Sequence, residues 1–462
     1  MGDKKEECGI VGIISKRGKD VAPLLYNALV ALQHRGQDAA GFAVLCPDGK
    51  IEERKGLGLV REIFKEGDLE IKGAIGVGHT RYPTTGRCDM CDVQPSVYGG
   101  IAVAHNGHLA NYPQLKKRLS AMGRNYMSTV DSEPIAMLLD EKRNEGAESA
   151  VLHVMNTLDG AYSDAAIFES RLLVFRDPHA IRPLVWGEDD DFVVFASETV
   201  ALDINNIPYR GGLVGPGEMV LLDAAGNRKQ KTILAREPRH CMFEYVYFSR
   251  PDSVINGKSV YETRKRLGQA LAKEHPVKAD VVVPVPDTSR QAAQSFADAL
   301  AIPVEEGLIK NRYIGRTFIM PNQGARSEAV RLKLNPVRSV LEGKRVVLVD
   351  DSIVRGTTLR EIVKLVRAAG AEEVHLRITC PPIRAPCFYG VDMSTFKELI
   401  ANKRTVEKIR EFLGADSLGY LSIEGLKAAI GLPLCTGCLN EDYPTEMAKK
   451  LAKERKEPEG CG

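Results

Sequence analysis

Val346-Val347-Leu348-Val349-Asp350-Asp351-Ser352-Ile353-Val354-Arg355-Gly356-Thr357-Thr358 is the stretch on which the reading of the fold turns. Four consecutive apolar residues, three of them β-branched, predict a short strand buried on both faces, and the run stops at two carboxylates. In the turn that follows, Gly356 lets the backbone approach a ligand closely and Thr357 and Thr358 offer hydroxyls. The amphipathic segment 359–369 predicts a helix, whose free backbone N–H groups converge on one spot and favour a phosphate there. Two acids at the carboxyl end of a parallel strand, beside such a nest, suit sugar hydroxyls or a Mg²⁺-bound diphosphate in the crevice of a doubly wound sheet. An acid-Gly-Thr turn taken alone is read equally well as a strand end with a helix cap and no ligand.

The full stretch is more specific: it resembles the phosphoribosylpyrophosphate (PRPP) loop of type I phosphoribosyltransferases. The resemblance implies an α/β domain with a mostly parallel sheet, in which Asp350 and Asp351 face the ribose. Ser352, Arg355, Gly356, Thr357 and Thr358 would then take the 5-phosphate. Upstream, the apolar run 279–286 predicts a buried strand, and Asp287-Thr288-Ser289-Arg290 opens a helix. By the same resemblance this second loop holds pyrophosphate and one Mg²⁺ per subunit, with Thr288, Asp350 and Asp351 as the metal-binding residues. Arg290 stands where a small residue is expected. Segment 310–336 carries Lys310, Arg312, Arg316, Arg326, Arg331 and Lys333 against Glu328 alone, interrupted by Gly315, Pro321, Asn322 and Gly324. It reads as a lid that orders over a phosphate-rich substrate, and the family assigns Lys310 and Arg316 to PRPP; a solvated loop is the plain alternative.

At 462 residues the chain predicts two domains. Lys+Arg 63 against Asp+Glu 61 leaves a net charge of +2, which argues against nucleic-acid binding driven by bulk electrostatics. No apolar run reaches membrane-spanning length, and residues 1–7 are too short and too charged for a signal peptide, so a cytoplasmic protein with no membrane partner is expected. In that compartment ten cysteines read as metal ligands, catalytic thiols or buried reduced residues rather than a disulfide frame.

The first half places glycines and polar groups after four β-type runs. These are Cys8-Gly9-Ile10-Val11-Gly12, Gln33-His34-Arg35-Gly36-Gln37-Asp38, Gly78-His79-Thr80-Arg81-Tyr82 and His105-Asn106-Gly107-His108. Together they resemble the glutaminase domain of the N-terminal-nucleophile (Ntn) amidotransferases, implying an α+β sandwich layered αββα. A cysteine exposed as the first residue by removal of residues 1–7 carries its own base, because an α-amino group titrates at ~7.7–8.0. The resemblance assigns Asn106 and Gly107 to the oxyanion, Arg81 to the glutamine α-carboxylate and Asp131 to the α-ammonium. Read singly, Asn106-Gly107 is also a turn dipeptide, Arg81 a surface ion pair and Asp131 a helix cap.

The aromatic segment 239–253 joins the halves. Here the chain is similar to the glutamine PRPP amidotransferase family, in which an aromatic near Tyr247 lines the path of ammonia. The implied organisation is a propeptide 1–7, a glutaminase domain 8–230, a junction 231–258 and a phosphoribosyltransferase domain 259–462 with a C-terminal tail. Cys435-Thr436-Gly437-Cys438 has metal-ligand spacing. Cys241 and Cys387 match the remaining positions of the family branch with one [4Fe-4S] cluster per subunit. Cys88-Asp89-Met90-Cys91 has equally good spacing, so a Cys₄ zinc site built from the two pairs is the rival reading. Cys46, Cys380 and Cys461 read as non-ligands. The resemblance further implies glutamine and PRPP as substrates, purine nucleotides as feedback inhibitors and a homotetramer. An ammonia-dependent phosphoribosyltransferase with an inert first domain, or a non-catalytic PRPP-binding regulator, would show erosion at Cys8 or at the paired acids; both are intact.

Overall fold

The computed structural model describes residues 8–82, 89–311, 332–393 and 395–456. Two antiparallel sheets make up the first half. In the seven-stranded sheet, Gly9–Ser15 lies between Ile75–Arg81 and Phe192–Ala196. In the six-stranded sheet, Gly160–Phe168 lies between Ile101–Leu109 and Arg171–Arg176. Alternation along the strands separates two buried layers, as a period of two requires. Ile10 and Ile14 point between the sheets with Ala102, Ala104, Ala165 and Val174. Val11 and Ile13 point outward against Leu25 and Leu29 of the helix Ala22–Ala31. Helices Ser132–Glu141 and Ala147–Thr157 cover the far face of the second sheet. The layers therefore run αββα, as expected.

The second half is built on a four-stranded parallel sheet in the order Val281–Pro284, Arg345–Asp350, Glu373–Ile378, Ser417–Tyr420. Val347 and Val349 face one core with Leu267, Leu271 and Phe296, while Val346 and Leu348 face another with Ile362, Val363 and Ile409. Burial on both faces is why this strand reads as an unbroken apolar run rather than an alternating one. The helix after the acids is Thr357–Ala368, two residues longer at its start than the apolar pattern indicates, because Gly356 at φ 78° makes the turn and both threonines enter the first turn.

The junction is tied to both halves. Its π-helical turn Glu244–Phe248 is mostly buried. From the second half, Arg264 donates to the carbonyls of Tyr245, Tyr247 and Ser249 at 2.8–3.0 Å. From the first half, Arg35 clamps Glu244 with two hydrogen bonds of 2.7 and 2.9 Å. The strand Arg228–Thr232 runs through residue 230, so its hairpin with Glu218–Leu222 straddles the domain edge set there from the sequence. The tail helix Glu446–Arg455 packs Ala448 and Ala452 with Phe388 and Tyr443 and with Ala110 and Ala161 of the first half. Among the described residues no helix is long and apolar enough to cross a membrane.

Candidate active site

Strand register brings the first set of residues together. Gly9 is paired with Thr80, so Cys8 lies beside Arg81 at the ends of neighbouring strands. The Cys8 thiol is buried and donates to the Tyr82 carbonyl at 3.6 Å, and its own carbonyl accepts from Arg35 Nε at 2.9 Å. Asn106 and Gly107 approach from the other sheet. Asn106 Nδ2 donates to Ser197 Oγ at 3.3 Å, and the same oxygen accepts the Ile10 N–H at 3.0 Å. Ser197 therefore fixes the Asn106 amide relative to the strand that follows Cys8. A Cβ at Gly107 would lie 1.9 Å from the Ala161 carbonyl oxygen, so these two paired strands can close here only over glycine. Arg81 is buried, with Asp92 at 3.9 Å, and Asp92 in turn accepts the backbone N–H and hydroxyl of Thr129 at 2.7 Å each.

Asp131 occupies the cap position of Ser132–Glu141 but makes no side-chain cap bond. Its Oδ2 instead accepts the Leu109 N–H at 3.1 Å and lies 3.5 Å from His108 Nδ1, which turns the carboxylate towards the Asn106-Gly107 strand.

Ser197, Arg35 and Glu198 have no role in the sequence reading, although Ser197 and Glu198 close a strand-like run, the same sign that singles out Arg81. Glu198 accepts from Arg35 at 2.6 Å and Ser253 at 2.6 Å and meets His34 at 2.8 Å. Burial works to raise its carboxyl, but His34, Arg35 and Ser253 outweigh that and hold it far below the carboxylate range. Replacing Ser197 by Ala frees the Asn106 amide to rotate. Glutaminase kcat is expected to fall about tenfold, less than the loss of an oxyanion donor itself, with ammonia-dependent transfer unchanged; separate steady-state assays of the two reactions check this.

A second set converges at the ends of Val281–Pro284 and Arg345–Asp350. Thr288 Oγ1 donates to Asp351 Oδ2 at 2.5 Å, Ser289 Oγ to Asp350 Oδ1 at 3.3 Å, and Ser352 Oγ to Asp351 Oδ1 at 2.6 Å. Lys310 meets Asp287 at 2.7 Å, which places it on the same loop. Two carboxylates and a hydroxyl are hard oxygen donors that leave room for phosphate oxygens, which suits Mg²⁺. Arg290 pairs with Glu306 and stands within 3.8 Å of Asp287, so its length is used outside the loop. Arg355 is paired with Glu398. Arg316, most of the basic lid segment, residues 1–7, Cys88 and Cys461 lie outside the described residues.

The cysteines of the second half gather around the tail. Cys241 and Cys435 are register partners in a two-stranded parallel sheet. Burial and the adjacent Cys387 raise the Cys435 thiol to about 12, and burial with Cys387, Cys435, Cys380 and Cys241 nearby drives Cys438 well above the ordinary thiol value. Cys387 Sγ accepts the Tyr389 N–H at 3.3 Å. Among the described residues no three His, Cys, Asp or Glu side chains already stand at the spacing of a single metal ion. Four neighbouring thiols, Cys435 buried and Cys241, Cys387 and Cys438 half-buried, with a backbone N–H on the Cys387 sulfur, form an all-thiolate donor set that fits a [4Fe-4S] cluster. Cys91, by contrast, is exposed, which disfavours the zinc reading that needs it.

Residues 86–203 match a glutamine amidotransferase domain and residues 257–408 a phosphoribosyl transferase domain. The molecule is thus of the class that joins a glutamine-using domain to a phosphoribosyl-transferring one. An amidophosphoribosyltransferase of Methanothermobacter thermautotrophicus is 49% identical, covering 97% of each chain, and one of Bacillus subtilis is 45% identical, covering 96% of this chain and 95% of its own. A solved B. subtilis glutamine PRPP amidotransferase, complexed with ADP and GMP, superposes with a TM-score of 0.87 at 44% identity, covering 95% of this chain and 98% of its own. The chain belongs to the amidophosphoribosyltransferase family.

Proposed function

We propose that Cys8 hydrolyses glutamine and that the ammonia released is passed within the chain to PRPP bound at Asp350 and Asp351. The products are glutamate, pyrophosphate and 5-phosphoribosylamine, which opens purine synthesis. The observation that carries this reading is the convergence of Cys8, Arg81, Asn106 and Asp131 in one half of a chain whose other half brings Asp350 and Asp351 against Thr288.

Removal of residues 1–7 frees the Cys8 α-amine, which takes the thiol proton as sulfur attacks the side-chain amide. The Asn106 side-chain N–H and the Gly107 backbone N–H receive the oxyanion, while Arg81 and Asp131 grip the α-carboxylate and α-ammonium. In the second half, Asp350 and Asp351 stabilise positive charge developing at C1 of the ribose. The loop Ser352, Arg355, Gly356, Thr357 and Thr358 holds the 5-phosphate, joined by Lys310 and Arg316, with Arg355 released from Glu398 to do so. Thr288, Asp350 and Asp351 would hold one Mg²⁺ per subunit, which when bound neutralises the departing pyrophosphate. Cys241, Cys387, Cys435 and Cys438 would hold one [4Fe-4S] cluster per subunit, which when bound cross-links the tail to the junction. Tyr247 and its neighbours in the junction line the passage for ammonia.

The domain limits of the sequence reading, a cytoplasmic location and a homotetramer complete the proposal. So does inhibition by purine nucleotides, supported by the ADP and GMP bound to the related B. subtilis enzyme. Anaerobically purified protein is expected to begin at Cys8 and to contain about four irons and four sulfides per chain. Cys435→Ser is expected to lose most of that iron. Mass analysis and iron and sulfide quantitation check both; stoichiometric zinc instead of iron would reverse the cofactor assignment.

A further inference from the structure

One buried trio is only partly used by this chemistry. Asp164 on Gly160–Phe168 stands directly across from His105 on Ile101–Leu109, and both are fully buried. His105 Nδ1 meets Asp164 Oδ1 at 2.7 Å. The other ring nitrogen, Nε2, faces Asp131 Oδ2 at 3.8 Å, and among the described residues neither it nor Asp164 Oδ2 has a hydrogen-bond partner. A neutral ring that donates through Nδ1 would turn a lone pair towards a second carboxylate, whereas an imidazolium turns one N–H to each. The ring thus bridges a carboxylate with no assigned role to the carboxylate read as the ammonium acceptor.

We propose that Asp164, acting through His105, is a positioning residue that holds the Asp131 carboxylate for the α-ammonium of glutamine and so selects amino-acid amides over amides that lack this group. The inference rests on the reading of Asp131 given above.

With the ring protonated, two carboxylates and one imidazolium leave a single negative charge, which one substrate ammonium neutralises. The other charged and titratable groups facing the ring are Arg182, His79 and His108. Burial and Arg182 oppose the imidazolium, but Asp164 and Asp131 outweigh them and raise the ring above the ordinary histidine value. His79 is kept neutral, chiefly by burial and then by Arg81 and His105, so it does not compete for the carboxylates.

The test compares L-glutamine with glutaramate, the same amide without the α-amino group, as substrates of full-length processed enzyme. For Asp164→Asn the expected result is an about tenfold rise in glutamine KM with little change in kcat, and an about tenfold fall in the preference for glutamine over glutaramate. Ammonia-dependent transfer stays at the parent rate, which reports an intact fold, and the His105 ¹⁵N resonances move from imidazolium to neutral values. Equal losses on both amides, or unchanged preference, overturn the proposal. Asp131→Asn separates the two failures. If that change erases the preference while Asp164→Asn does not, the role of Asp164 alone is wrong. If Asp131→Asn leaves the preference intact, the ammonium site itself lies elsewhere and the proposal falls with it.

Discussion

Cys8→Ala is expected to abolish glutamine-dependent formation of phosphoribosylamine while the ammonia-dependent reaction continues at the parent rate. Removing a hydrolase nucleophile costs a factor on the order of 10⁶ in turnover, because no other group can form the thioester. The change is small in structural terms. Cys8 lies at a strand end, only its thiol is lost, and the bonds to its backbone, including that from Arg35, do not depend on the side chain. The core behind it, with Ile10 and Val11 fully buried, is untouched. Assays with glutamine and with ammonium at high pH, both scored as PRPP-dependent product, separate the two reactions. Equal loss of both would mean that Cys8 supports the fold rather than the chemistry.

Asp351→Ala is expected to remove both transfer reactions while hydrolysis of glutamine in the absence of PRPP persists. Asp351 is buried, and its two oxygens accept from Thr288 and Ser352, so its loss opens the contact between the two phosphate-facing loops. It also removes one of two negative charges available to a cationic sugar. Loss of one preorganised electrostatic partner typically costs 10²–10³ in kcat, and loss of the loop contact adds to this. Asp351→Asn keeps the volume and one acceptor but not the charge. If Asn transfers as well as Asp, the carboxylate acts only as a strut; if Asn is nearly as poor as Ala, charge is what the reaction uses.

The second half is legible where local pattern and tertiary environment coincide. The run from Val346 to Val349 could only be a strand with both faces covered, and the acids after it could only lie at the carboxyl edge of the sheet. In the first half the polar groups do not all follow strands: Cys8 precedes Gly9–Ser15, residues 33–38 follow the helix Ala22–Ala31, and Arg81, Asn106 and Gly107 lie within their strands, where antiparallel register sets Gly9 opposite Thr80 and Asn106 opposite Ser163. What local pattern could not supply is the partner of a buried charge. Arg35 reads as part of a loop motif, yet it is the hinge-pin between Cys8, Glu198 and Glu244, and the last of these lies 209 residues away. The His105 and Asp164 pair is invisible for the same reason: it exists only once two strands find their register. Arg290 is an oddity in sequence and unremarkable in space, since Glu306 answers its charge. The tail offers the converse lesson: a CxxC spacing gives two thiols, and only folding brings Cys241 and Cys387 to them.

In the proposed function, passage of nitrogen from Cys8 to PRPP occurs without mixing with solvent. It is tested most directly by supplying glutamine labelled with ¹⁵N in its side-chain amide together with PRPP and an excess of unlabelled ammonium, at a pH where free ammonium reacts slowly. The label in the phosphoribosylamine is then read after trapping. Internal transfer predicts product that carries the amide ¹⁵N almost quantitatively; product labelled only in proportion to the bulk ammonium pool would contradict it.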